Sequence, residues 1–337
     1  MVVVDAHSDY ALHIYREYLK GNKNVLKEQH LPFLRKGGVK IEVLTVGGDF
    51  DLFPEFNSRD YNTIIKVINS VKNEISENHD LFYLIKNSRD FEKIGKNNKV
   101  GYMLALEGSG SIGSDFSLLY NYFDLGVRSI AMTHNNRNQF ADGCAEKLAR
   151  GLSDLGKEFI IELNKLNILL DLSHSSEPSF WDAINLIEKP PIASHSNVKH
   201  LCDHPRNLTD KQITAIAQKG GVIGMNFFSA FIDKNGKKAN VDRLIDHIDH
   251  IIDLTGIEHV GLGPDFLNYY IDDFDTLFNN IPSDFDTASD PVKNFEVIED
   301  VTGIPKFIES LQKRGYSDKE VGKIKGDNFI RVYKNVI

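Results

Sequence analysis

Cysteine is scarce in this chain. Two occur in 337 residues, Cys144 and Cys202, far apart and outside any CxxC spacing. That excludes a disulfide-stapled scaffold and predicts two reduced thiols in a cytoplasmic protein. Long apolar runs are missing as well: none approaches the roughly 18–20 residues of a bilayer span. The chain opens directly on "VVVDAHSD", with no basic stretch, apolar h-region or cleavage site. The C-terminal "RVYKNVI" carries neither an anchor tail nor a lipidation cysteine. No membrane is expected as a partner. Positive charge is in deficit, 39 Lys and Arg against 48 Asp and Glu, for a net charge of −9. Nucleic acid asks for a basic face and is excluded as a partner. From Phe266 to Asp290 there are six aspartates and no Lys or Arg, so no polyanion is expected there. No GxGxxG follows the first apolar run, and no GxxxxGK[ST] occurs anywhere, which argues against a nucleotide-binding sheet.

What is present is an alternation. Short apolar runs lie at 2–9, 39–46, 100–108, 126–135, 167–176, 190–197, 220–228 and 259–266. Most are continuously apolar, as strands covered on both faces are. Between them fall helical patterns. Residues 60–78 place Ile64, Ile65, Val67, Ile68, Val71 and Ile75 at helical spacing. Residues 241–255 do the same with Leu244, Ile245, Ile248, Ile251 and Ile252. Thr209 with Gln212, and Ser317 with Glu320, read as capping boxes. Eight strands alternating with helices predict an α/β fold, a (β/α)8 TIM-like barrel of the metal-dependent hydrolase type. A doubly wound open sheet is the competing reading. The whole of 1–337 reads as one catalytic domain, with a long acidic loop excursion at about 266–304.

The polar residues cluster where these runs end. His7 and Asp9 close the first, Glu107 the third, and His134, His174, His195 and Asp265 close later ones. In a parallel barrel all these ends meet on one face. His7 and Asp9, at i and i+2 of a strand, point the same way and can grip one cation together. Imidazole with carboxylate suits Zn2+, with Mn2+ or Co2+ as alternatives. His174 and His195 are placed to hold a second cation, and Glu107, the one carboxylate at a run end between the two groups, to bridge them. Two metals about 3.5–4 Å apart polarise a carbonyl and acidify a shared water. His13, His30, His79, His247 and His250 read as ordinary structural histidines, the last two on the solvated side of their helix.

An ordered series of motifs covers nearly the whole chain: "DAHSD", "LALEG", "MTHNNRNQFADG", "LLDLSHSS", "ASHSNVKHLCDHPRNLTDKQI", "GGVIGMNF" and "RGYSDKEVGKIKGDNFIRV". It resembles the membrane-type (renal) dipeptidases and their bacterial relatives, dinuclear zinc peptidases of the amidohydrolase superfamily. HxD, rather than the HxH of most of that superfamily, marks this family. The resemblance implies two Zn2+, one on His7, Asp9 and Glu107, the other on Glu107, His174 and His195. It implies that His134 contacts the substrate carbonyl and steadies the tetrahedral intermediate. Arg206, in "DHPRN", would bind the free carboxylate of a small dipeptide, and Asp265 would handle protons for a metal-bridging hydroxide. It further implies tolerance of a D-residue on the C-terminal side, and a homodimer as an assembly to test. The family's "GSDFDG" is "GPDFLN" here: Asp265 is kept, while Leu267 and Asn268 replace Asp and Gly. That change bears on substrate preference more than on reaction type.

Read from the residues alone, Arg206 also fits an ion pair with Asp203 at a helix entry, and His134 a buried hydrogen-bonding histidine. Two other functions stay open on the sequence. One is a related amidohydrolase reaction on N-acyl amino acids, lactones or β-lactams. The other is a barrel that holds metal without catalysis.

Overall fold

The computed structural model describes residues 2–49, 56–234, 238–269 and 297–337. Nine parallel strands form one sheet: β1 Val3–Ser8, β2 Val39–Gly48, β3 Phe82–Leu84, β4 Val100–Glu107, β5 Val127–Ala131, β6 Leu169–Asp171, β7 Ile192–Ala193, β8 Val222–Met225 and β9 Val260–Leu262. Eight of them pair in the order β1-β2-β4-β5-β6-β7-β8-β9, and β3 adds to β4 from outside that path. β9 returns to pack beside β1. The result is the expected nearly closed eight-strand parallel barrel. The open doubly wound alternative is set aside, because its first and last strands would lie at opposite edges.

The continuous apolar runs have the reason the sequence suggested: both faces are covered. Ile41, Val43, Met103, Ala105, Leu169 and Val222 fill the barrel. Leu44, Val46, Tyr102, Leu104 and Leu106 of the same strands face the helices. Those helices are α1 Tyr10–Leu19, α2 Leu31–Gly37, α3 Tyr61–Glu77, α4 Ser117–Leu125, α5 Asp154–Leu166, α6 Glu177–Leu186, α7 Asp210–Gln218, α8 Ser229–Ile232, α9 Val241–Thr255, α10 Ile304–Arg314, α11 Asp318–Gly322 and α12 Asn328–Val336. The two capping boxes form as read, Thr209 with Gln212 on α7 and Ser317 with Glu320 on α11. Asp60 caps α3 by accepting from the Thr63 N–H at 2.8 Å. Each such cap is worth about 1 kcal/mol.

α12 closes the end of the barrel where the strands begin. Phe329, Val332 and Tyr333 join the interior cluster, and Asn328 Nδ2 donates to the Val260 carbonyl at 2.8 Å. The opposite end, where strands finish, is left to loops.

Three expectations need adjusting. β3 was not among the eight predicted strands; it is three residues long and too short to show a period. His247 is not on a solvated face: it is fully buried. Its Nδ1 accepts from the Val198 N–H at 3.0 Å, and its Nε2 lies 3.2 Å from the Ile232 carbonyl. His250 is half-buried, 2.9 Å from Asp210. Of the loop excursion expected at 266–304, residues 270–296 lie outside the described residues. Both cysteines are free thiols, and among the described residues no helix is long and apolar enough to cross a membrane.

Candidate metal centre

Strand ends set the site. His7 lies in β1, which shifts register between Asp5 and Ser8, and the Asp5 carboxylate accepts the His7 N–H at 3.1 Å. Asp9 follows and precedes α1. Glu107 is the last residue of β4. His134, His174, His195 and Asp265 sit just past β5, β6, β7 and β9. Gly224 and Gly263 let β8 and β9 crowd the Ser194 carbonyl, where any Cβ would collide.

The seven groups converge. Glu107 Oε1 is 3.5 Å from His7 Nε2, 2.8 Å from His174 Nε2 and 3.1 Å from His195 Nε2. His7 Nε2 is 4.0 Å from Asp9 and 3.8 Å from Asp265. The His134 and His174 rings meet at a tilt, with centroids 4.3 Å apart. Ligand-competent atoms group as His7 with Asp9 and Asp265, as Glu107 with His134 and His174, and as His7 with Asp171 and His195.

Asp171 was not anticipated. It ends β6, is buried, and accepts from the Ser173 and Ser194 N–H groups at 3.0 and 2.9 Å. The signal was available: a carboxylate inside the apolar run "ILLDL" is costly unless paired. Three further supports were also missed. Asn135 Oδ1 is 2.7 Å from His174 Nδ1, Ser194 Oγ is 2.7 Å from His195 Nδ1, and Asn226 Nδ2 donates to Asp265 at 2.9 Å.

Two backbone outliers mark the same place. Among the described residues six other than glycine have positive φ. Four are asparagines, which tolerate it; the others are His174 at 64° and Asp265 at 63°. Strain of this kind gathers where the surroundings over-determine a site.

The donor set fits a cation. Asn135 Oδ1 accepts the Nδ1 proton of His174, so its Nε2 carries a lone pair inward. His7 Nε2 is buried and makes no hydrogen bond. Three buried carboxylates (Asp9, Glu107 and Asp171) and the partly exposed Asp265 gather here, and the buried guanidinium of Arg206 acts on Glu107 and Asp265. Burial pushes the Asp9 and Glu107 carboxyls well above their ordinary range, with the other carboxylates adding to it. Asp265 is pushed up to about 6 by burial, against the opposing pull of Arg206. Burial, then Arg206, holds His7 and His134 down to about 3, and His174 and His195 also fall well below the usual range. Neutral imidazoles beside crowded carboxylates are what a divalent metal requires, and the metal's charge relieves the repulsion.

Arg206 stands in the loop between β7 and α7. It donates from Nη2 to the His195 carbonyl at 3.0 Å rather than pairing with Asp203. Its Nε and Nη1 are buried without a hydrogen-bond partner. Beside it opens a cavity of about 200 Å3, walled by Cys144, His174, Glu177, Lys199, Arg206 and Gln212 among others. Burial pushes the Cys144 thiol up to about 11, so that wall offers no thiolate.

The chain resembles known proteins in sequence and in fold. The chain is 30% identical over 357 residues to an uncharacterized dipeptidase of Schizosaccharomyces pombe, covering 98% of this chain and 80% of that one. It is 30% identical over 249 residues to the dipeptidase tcpJ of Claviceps purpurea, covering 73% and 53%. In fold it matches a metallo peptidase of Rhodobacter sphaeroides, crystallised with a phosphinate mimic of the dipeptide L-Ala-D-Ala. That match has TM-score 0.82 and 22% identity, covering 100% and 99% of the two chains. It also matches dipeptidase AC, with TM-score 0.83 and 24% identity, covering 100% and 98%. The model of the membrane dipeptidase family matches residues 1–275 and 279–337. A parallel barrel with imidazoles and carboxylates gathered at its strand ends thus has its place: the chain belongs to the membrane dipeptidases, peptidase family M19.

Proposed function

We propose that this protein hydrolyses small dipeptides with a free C-terminal carboxylate, holding two Zn2+ on His7, Asp9 and Glu107 and on Glu107, His174 and His195. When bound, the metals supply an acidified water and polarise the scissile carbonyl. The rest is done by the chain. Asp265 accepts the water's proton and returns it to the leaving amine. His134, neutral across the working range, hydrogen-bonds the carbonyl oxygen as charge gathers there. Arg206 takes the substrate carboxylate in bidentate fashion and fixes its distance from the scissile bond.

One observation carries this reading: Arg206 keeps two buried guanidinium nitrogens, Nε and Nη1, uncommitted beside a cluster suited to metal. A buried donor without a partner is costly, and an incoming carboxylate supplies that partner. The adjoining cavity is large enough for a small side chain, and the neighbour's ligand makes L-Ala-D-Ala the first substrate to try. The test is a panel of L,L- and L,D-dipeptides, their C-terminal amides, N-acyl amino acids and lactones. Turnover of free dipeptides and loss with the amides is the expected outcome. Equal turnover of amides, or activity on lactones alone, contradicts it.

A further inference from the structure

The barrel has a seam. Among the described residues no ladder pair joins β9 to β1, yet His7 and Asp265 face each other across that join at 3.8 Å. Something other than strand pairing must keep the two strand ends in register. At the far end α12 and the turn that precedes it, residues 323–327, do so. Phe329 packs against Gly261, and Gly326 against the backbone of Val2 and Val4.

At the site end the tie is the segment just after Asp265, the stretch that departs from the family pattern. Phe266 packs edge-on to Phe227, centroids 5.8 Å apart. Asn268 Oδ1 accepts from the Tyr10 hydroxyl at 3.3 Å. The Tyr269 carbonyl accepts from Arg16 Nη2 at 3.0 Å, and the Tyr269 hydroxyl donates to the Gln29 carbonyl at 3.0 Å. The Tyr269 ring stacks on His13 at 4.6 Å, lies 4.5 Å from His30 and meets the edge of Tyr10 at 4.8 Å. His13 Nδ1 and His30 Nε2 are themselves 3.0 Å apart, so the cage is internally braced. Tyr10, His13 and Arg16 all belong to α1, which starts immediately after Asp9.

We propose that Tyr269 is a positioning residue: caged by Tyr10, His13 and His30, it bolts the Asp265 loop to the unit carrying His7 and Asp9. The role rests on the function proposed above, in which Asp265 moves the proton. Asp265 has left-handed backbone at the end of a strand that pairs with β8 but not with β1; Asn226 and the Phe227 N–H, which donates to the Pro264 carbonyl, hold it on the β8 side, and the residues that follow it hold it on the β1 side. The cage supplies that anchor on α1 and on the segment preceding α2.

The experiment compares kcat, KM and bound metal in Tyr269→Ala, Tyr269→Phe and the partly exposed Arg16→Met, using the zinc-loaded protein and L-Ala-D-Ala. Tyr269→Ala is expected to lower kcat by about 100-fold, the order of effect of a 1 Å misplacement, with KM and metal content close to wild type. Tyr269→Phe keeps the ring in its cage and should restore most of kcat. Arg16→Met removes the clasp on the Tyr269 carbonyl while leaving the Tyr269 ring in its cage, and should lower kcat less, again without a change in KM; it serves as the test if Tyr269→Ala does not fold. A folded Tyr269→Ala with wild-type kcat, or an Arg16→Met indistinguishable from wild type, overturns the proposal. So does a loss seen in KM or metal content alone. A wild-type protein inactive on every dipeptide would instead overturn the proposed function.

Discussion

His174 and His195 turn their Nε2 atoms toward each other at 2.9 Å, with Glu107 Oε1 within 3.1 Å of both. A cation held by both nitrogens and the carboxylate would satisfy this close approach. The tautomer of His174 is set from behind by Asn135. Asn135→Ala should therefore weaken one of two zinc equivalents by about 10–100-fold, the usual effect of losing such an outer partner. Competitive chelator titration reads this, and unchanged affinity for both equivalents would remove Asn135 from the account.

In the proposed reaction Asp265 carries the proton. Asp265→Asn should keep both metals and lose most turnover; loss of metal instead would make it a ligand. The carboxyl is raised to about 6 by burial, and bound cations lower it. A base works ionised, so kcat/KM should climb with pH along an acid limb whose midpoint lies at or below about 6. A limb centred above pH 7 contradicts this assignment.

Arg206→Ala should raise KM for free dipeptides by at least roughly 30-fold, the ~2 kcal/mol lower end for losing one partner of a buried charge pair. C-terminal amides, already poor substrates, should change little. An unchanged KM for dipeptides removes the carboxylate clamp.

His247 gives a stability test far from the metals. Burial lowers it to about 4 from an ordinary 6.5. Between those values the unfolded chain takes up a proton that the folded chain refuses, so stability falls as pH drops from 6.5 to 4. In His247→Gln the fall in Tm over that window should be shallower by one proton's worth. An unchanged slope would mean that His247 titrates normally.

Glu42, fully buried on β2 opposite Asp5, is raised well above its ordinary range by burial and by Asp5, with Ser8 opposing. The unfolded chain ionises it at lower pH, so it weakens the fold as pH rises. Glu42→Gln should raise Tm at pH 8, by about 2–4 °C for each kcal/mol recovered. The gap should close toward pH 4, and a variant less stable at pH 8 contradicts this.

Most of the barrel, and the polar residues gathered at its strand ends, were legible because both obey local rules. Buried parallel strands read as continuous apolar runs, and a histidine or carboxylate closing such a run stands out. What escaped was set by distant neighbours. Asp171 is satisfied by backbone of the next strand, and Tyr269 by α1, more than 200 residues earlier. His247 was misread although its spacing from Leu244 and Ile251 placed it on the buried stripe of α9; histidine's polarity outweighed the periodicity. β3 is too short to carry any pattern.

The proposed chemistry depends on a pair of cations that share Glu107. Calorimetric titration of the metal-stripped protein with Zn2+ tests it most directly, alongside Glu107→Gln. Two equivalents per wild-type chain and a weakening of both in the variant are expected. A wild type that binds no zinc, or a variant that still binds two equivalents with wild-type affinity, would contradict it.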